Sequence, residues 1–466
     1  MKWYVAALLI LLAALALQSG LLAYAMYVLL GALLVSRLLA RASLDKVAAV
    51  RTCEQTTAEI GDRVAVEVTV ENRGRLMLPW VLLEDLLPGA ALGGRSPRLG
   101  VKGKRLLMRV LGAGKQAVVR YKIECKLRGY YQVGPLLLES GDLFGLHRRY
   151  RVVTQPHFLL VYPKVVPLQG YDLASRRPIG DVRLTHRLYE DPTRIGGVRQ
   201  YQAGDPLNRI HWRATARAGT LHSKVYEPST LAGSTILLDL HRAGYPKRGE
   251  PQRSELAVTA AASLANAVYE LGQQVGLVSN GRDAADRIRQ EGWENQDFRT
   301  RRAARRRAAM QEESERLEPV IVETRRGAEQ FQRIREALAR LELTDGMTCA
   351  QLILETAGRL PRDATVVAVL PEASVETALA LGSLRRHGLA VTAVLIACDV
   401  GELERSYGRL VAEGVRDVRH LRDEAGLPEL CRQQAAGAGG WVVLQGNDAG
   451  GWAADRSTYN MDSELT

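Results

Sequence analysis

From Trp3 to Ser36 the chain carries 34 consecutive uncharged residues, nearly all Leu, Ala, Val, Ile or Tyr. Few folds accommodate such a run, which reads as membrane-embedded helix. One straight helix would be about 51 Å long against a hydrocarbon core of about 30 Å. Gln18-Ser19-Gly20 interrupts the run near its middle, so residues 1–41 are expected to form a two-helix transmembrane hairpin with short arms. Lys2 precedes the first arm, Arg37, Arg41, Lys46 and Arg51 follow the second, and the turn is uncharged. The positive-inside bias then puts both ends, and every later domain, in the cytoplasm. A signal peptide built from Lys2 and the Val5 to Leu17 stretch is the competing reading; the second apolar segment argues against it.

With 466 residues the chain has room for two or three domains. Its net charge of +12 suits anionic partners, membrane lipid among them. Cys53, Cys125, Cys349, Cys398 and Cys431 show no CxxC spacing and no paired His. That pattern fits reduced thiols better than a disulfide framework or a zinc site.

Residues 52–165 read as β-structure. Val64, Val66, Val68 and Val70 alternate with polar neighbours, as do Val119, Tyr121, Ile123 and Cys125. Short strands between Gly/Pro turns predict an immunoglobulin-like β-sandwich. Residues 235–445 alternate apolar runs (Thr235 to Leu240, Val275 to Ser279, Thr365 to Leu370, Val391 to Ile396, Trp441 to Leu444) with helical patterns. This order predicts a doubly wound α/β domain with a parallel sheet covered on both faces. Within it, Gly281 to Arg326 is highly charged, with six arginines between Arg299 and Arg307, and reads as a solvated helix or disordered insertion. No aromatic interleaving or nucleic-acid motif accompanies it, which argues against nucleic acid. Residues 446–466 are polar and Gly-rich, a disordered tail.

Between the two domains, residues 166–234 hold the densest chemistry. GVRQYQAGDPLNRIHWRATARAGTLHSKVYE, Gly197 to Glu227, interleaves polar, aromatic and Gly residues without a helical or strand period, as surface loops do. Asp205-Pro206 reads as an N-cap opening a short helix that runs to about Thr215, with Asp205 and Arg209 four apart on one face. Arg199, Asp205 and Arg209 then form either an ion-paired brace around a core Trp212 or a rigid recognition patch.

The run Arg199-x-Tyr201-x-x-Gly204-Asp205-x-x-x-Arg209-Ile-His211-Trp212 resembles the signature of the bacterial domain-of-unknown-function family 58. Ala216-Arg217, Gly219, Leu221 and Lys224-x-Tyr226-Glu227 also match, as do Arg128-Gly-Tyr-Tyr-Gln-Val-Gly-Pro135 and Gly141-Asp-Leu-Phe-Gly-Leu146. Gln200, Ala203 and Leu143 depart from it. The resemblance implies a von Willebrand factor A-like domain and a MoxR-type AAA ATPase as partner. In such a domain the first strand ends in a metal-binding Asp-x-Ser-x-Ser; this chain has Asp239-Leu240-His241-Arg242-Ala243, without the hydroxyls, so a metal site is not expected.

No phosphate loop, HExxH, GxSxG or metal-ligand spacing occurs. The expectation is therefore a membrane-anchored, non-catalytic adaptor without a cofactor. Its partner-binding patch comprises Arg199, Tyr201, Gly204, Asp205, Arg209, His211, Trp212 and Arg213, and its oligomeric state is left unset. The rivals are a membrane-surface hydrolase or transferase using Asp205 and His211, and a metal-dependent von Willebrand A ligand binder.

Overall fold

A computed structural model of the chain describes residues 9–13, 15, 16, 18, 20–93, 96–141, 148–169, 190–202, 210–228, 233–288, 297–311, 318–361 and 364–431. The expected strand at Trp441 to Leu444, the tail, and much of the first hairpin arm lie outside these residues. Helix α1 (Gly20–Ser43) leaves Leu21, Tyr24, Tyr27, Val28, Leu34 and Val35 exposed. Among the described residues no helix is long and apolar enough to cross a membrane. Just past α1, Leu44 is fully buried in the next domain and its carbonyl accepts from Arg151 Nη1 at 2.6 Å.

That domain is a β-sandwich. Its strands are β1 (Val47–Cys53), β2 (Thr57–Ala58), β3 (Arg63–Asn72), β4 (Leu78–Asp85), β5 (Leu99–Gly103), β6 (Leu106–Leu111), β7 (Gln116–Cys125), β8 (Gly129–Val133), β9 (Leu136–Gly141), β10 (Arg148–Val152) and β11 (His157–Val161). One antiparallel sheet runs β1-β3-β7-β5. The facing sheet contains β10-β9-β4-β6, and β2-β11-β8 forms a smaller one. Strict alternation in β3 and β7 turns Val66, Val68, Val119 and Ile123 inward against Leu83, Leu136 and Leu138. A buried ion pair, Arg51 with Asp85, crosses this core, and Tyr121 Oη donates to Asp85 at 2.6 Å. Gly134, at φ +87°, lies against the Arg51 guanidinium, where a Cβ would collide.

Beyond it, β12 (Glu190–Gln200) and β13 (His222–Pro228) form an antiparallel hairpin. The second domain follows with β14 (Gly233–Leu238), β15 (Gln274–Ser279), β16 (Arg282–Asp283), β17 (Asp297–Phe298), β18 (Val320–Arg325), β19 (Leu341–Glu342), β20 (Ala364–Leu370), β21 (Ala390–Ile396) and β22 (Asp417–Leu421). Its main sheet runs β18-β15-β14-β20-β21-β22. Five strands are parallel and β18 is antiparallel at the edge. Numbering the helices by chain order, α2 (Gly89–Leu92) belongs to the sandwich and α3 (Trp212–Ala218) to the hairpin. Helices α4 (Gln252–Glu270), α5 (Arg301–Ala308), α6 (Ala328–Arg340), α7 (Cys349–Thr356), α8 (Val375–Arg386) and α9 (Val400–Ala412) belong to the α/β unit. Helices α4 and α6 pack on one face through Ala261, Leu264, Ile334 and Leu338; α7, α8 and α9 cover the other through Leu352, Leu381 and Leu410. The doubly wound expectation holds, with β18 and β22 as strands the hydropathy pattern did not reveal.

Within the arginine-rich segment the expected helix is present, with Arg302, Arg305, Arg306 and Arg307 exposed, but it is docked on the sandwich and not apart from the fold. β17 adds to the edge of β10 in the sandwich, pairing Phe298 with Tyr150 and Asp297 with Arg151. In α5, Ala304 and Ala308 are buried against Leu137 and Val152. The arginines of the same helix flank this small apolar face: Arg301 and Arg305 both bind Glu84, and Arg301 Nη2 does so at 2.6 Å. Residues 297–311 thus form a strap by which the α/β unit grips the sandwich.

A second clasp comes from the Arg128–Pro135 motif. Arg128 is buried and its Nη1 donates to the carbonyls of Leu338 and Leu341 at the end of α6, at 2.5 and 2.8 Å. Its Nε lies 3.2 Å from Glu255 of α4. Gln132 Nε2 donates to the Ala308 carbonyl at 2.6 Å, joining the clasp to the strap. The linker closes the contact, with Leu168 in the α/β core and Val166 N–H donating to Ser263 Oγ at 2.9 Å.

Candidate functional site

Among its described residues, the signature segment is a hairpin carrying a helix. Arg199 pairs with Ser223 and Gln200 with His222 across the β12–β13 ladder. The chain then leaves the ladder, returns to it at Ile210, which bridges to Ser223, and enters α3. The expected helix from Asp205 to Thr215 is therefore corrected: Ile210 is in a β-bridge and the helix begins at Trp212. Gly204, Asp205 and Arg209 lie outside the described residues, as does most of the Gly141–Leu146 motif.

His211 is the N-cap of α3, its Nδ1 accepting from the Ala214 N–H at 3.0 Å. The Nδ1 lone pair is thereby engaged in the cap. Gly219, left-handed at φ +69°, closes the other end by donating to the Thr215 carbonyl. Thr215 Oγ1 accepts from the His222 N–H at 3.1 Å, tying the helix to β13. Tyr201 is half-buried, with its N–H donating to the Leu221 carbonyl at 2.8 Å.

None of the residues of α3 is buried. Trp212 is 67% exposed, and Arg199 and Arg213 are also exposed. The reading of Trp212 as a core residue is thereby corrected. The structure brings together Arg199, Tyr201, His211, Trp212 and Arg213 at one end of the hairpin. It also places Lys224 in β13 beside Val198 of β12.

At the end of β14, Asp239 is buried. Its Oδ1 accepts from the His241 N–H at 2.9 Å and from Asn280 Nδ2 at 2.8 Å. Burial pushes its carboxyl up, against the two hydrogen bonds that lower it. Arg242 approaches Asp345 at 4.0 Å. Among the described residues no cluster of three or more His, Cys, Asp or Glu is placed to hold a metal. The five cysteines are unbridged, and burial pushes the Cys125 and Cys398 thiols up to about 11. Neither is a thiolate at neutral pH.

The missed residues lie between the domains. Glu84 is buried beneath Arg301 and Arg305. Burial alone would raise its carboxyl, but hydrogen bonds from Arg305 and Arg301 hold it below the ordinary value. Only the alanines at Ala304 and Ala308, four apart within the arginine run, signalled a packed face there.

A model of the family described as "Protein of unknown function DUF58" matches residues 197–316, from the hairpin through the strap. The Uncharacterized protein YeaD of Bacillus subtilis (strain 168) is 26% identical over 258 residues, 55% of this chain and 62% of that protein. The match thus spans less than two thirds of the relative's length. Among solved structures, the CARDB domain of the PF1109 protein from Pyrococcus furiosus is 14% identical over 25% of this chain and 86% of its own, with a TM-score of 0.16. Proximal thread matrix protein 1 from the mussel byssus is 11% identical over 43% of this chain and 46% of its own, with a TM-score of 0.28. At those scores the assignment of the fold rests on strand order and core packing alone. The signature hairpin and the strap are where this chain is similar to the DUF58 family.

Proposed function

We propose that this protein is a membrane-anchored, non-catalytic adaptor whose signature hairpin docks a protein partner, a MoxR-type AAA ATPase. The carrying observation is Trp212, exposed on a helix capped at both ends and packed into neither core. An exposed tryptophan beside Arg213, with Arg199 on the same hairpin, has the composition of a binding hot spot for an acidic surface. The six-strand order with an antiparallel edge at β18 supports a von Willebrand factor A-like reading of the α/β unit, and the sandwich is read as immunoglobulin-like. The apolar exposed side of α1, within the uncharged run, supports anchoring in lipid, with the domains on the cytoplasmic side. The hydrolase alternative is disfavoured by His211, whose Nδ1 is committed to capping.

The test is binding between the purified full chain and the ATPase, comparing the native sequence with Trp212→Ala/Arg213→Ala. Both side chains are exposed, so the variant keeps its melting temperature. The expected outcome is at least a tenfold loss of affinity; equal affinity would move the interface elsewhere.

A further inference from the structure

Where the strap, the clasp and the α/β sheet meet, they enclose a cavity of about 830 Å³. Its size falls within the range of small-molecule sites, about 300–1,000 Å³. It lies beyond the carboxyl end of β14, where Leu240 and Arg242 leave the sheet. Ligands of doubly wound sheets bind outside such strand ends.

The charge lining it is unbalanced. Arg98, Arg105, Arg128, Arg242, Arg287 and Arg305 face three glutamates, Glu84, Glu255 and Glu342. Four of the arginines are engaged by those carboxylates: Arg105 and Arg305 by Glu84, Arg128 by Glu255 and Arg287 by Glu342, while Arg242 approaches Asp345 outside the lining. Arg98 makes no ion pair among the described residues. Buried polar atoms are also left over: Arg287 Nε and Gln132 Oε1 have no hydrogen-bond partner. Unmet buried polar atoms are costly and unusual in a folded protein. Leu86, Leu87 and Leu343 supply apolar wall beside them.

We propose that this cavity binds a phosphorylated small molecule. An excess of arginine in a recess concentrates anions, and the guanidinium fork matches phosphate oxygens. A phosphate ester places two or more negative charges in a small volume, which meets the excess of three arginines better than a single carboxylate does. The apolar wall takes the organic body. The site is separate from the hairpin, so it stands or falls independently of the partner.

Calorimetry on the purified full chain, without any ATPase, tests this with ADP and with pyrophosphate at ionic strength matched by NaCl. Saturable binding of ADP, weakened at least tenfold in Arg98→Ala and in Arg242→Ala but unchanged in Arg248→Ala, is the expected result. Arg98→Ala removes no ion pair, and the Arg98 carbonyl still accepts from Lys126 and Leu127, so the ligand-free melting temperature should not move. Binding of pyrophosphate alone would keep the phosphate site and remove the claim about the organic body. No saturable binding of either probe, or equal loss in Arg248→Ala, would overturn the proposal.

Discussion

Arg51 and Asp85 pair inside the sandwich with neither side chain exposed, and the arrangement makes their contribution asymmetric. Asp85→Ala leaves a buried guanidinium uncompensated, so it should cost about 3–5 kcal/mol, read as a fall in chemical-denaturation midpoint. Exchanging the pair for apolar residues should cost far less. Asp239 behaves differently, because burial already disfavours its charge. Asparagine can accept the same two hydrogen bonds through its Oδ1, so Asp239→Asn should be neutral or stabilising near pH 7. The native carboxyl has a raised folded pKa, so its contribution weakens as pH rises through that value. The stabilising effect of Asp239→Asn should therefore grow with pH, and thermal melts across pH 4 to 8 would check it.

The strap is where element-level behaviour is most testable. Against the effect of burial, hydrogen bonds from Arg305 and Arg301 hold the Glu84 carboxyl below the ordinary glutamate range, so its contribution is present above that range and is lost as pH falls through the lower folded value. Hydrogen exchange over residues 297–311 should therefore rise sharply below about pH 4.5, before the sandwich core exchanges. Arg301→Ala/Arg305→Ala should give the same local exchange at neutral pH. The strap also shows why parts of the fold escaped the sequence. β3 and β7 were legible because one face is valine and the other charged, a contrast that survives without knowledge of the partner sheet. β18 is half-exposed, ends in Glu323-Thr324-Arg325, and so lacks the continuous apolar run of its neighbours. In α5 the buried face is only Ala304 and Ala308, small against the surrounding arginines, and its partner Glu84 lies more than two hundred residues earlier. The Asp205-Pro206 signal misplaced the start of α3 because the true cap, His211, acts through a ring nitrogen that capping statistics do not favour. Of the proposed patch, Tyr201, His211 and Trp212 were legible as a group. Their exposure was not, since a Trp within a mixed polar run reads equally well as core.

At the scale of the whole molecule, the two domains are joined by the strap, the Arg128 clasp and the linker at Leu168, which leaves α1 and the signature hairpin as the elements packed into neither large core. Under the proposed function, α1 would face lipid and the hairpin the partner. The full chain should float with liposomes in a density gradient, while residues 44–466 should remain at the bottom. The most direct test of the central claim is photo-cross-linking in the native host, with a cross-linking amino acid placed at position 212 and, as control, at position 375 on α8, where Val375 is also exposed. An AAA ATPase adduct is expected from position 212 and none from position 375. Absence of that adduct, or equal yield from both positions, would contradict the claim.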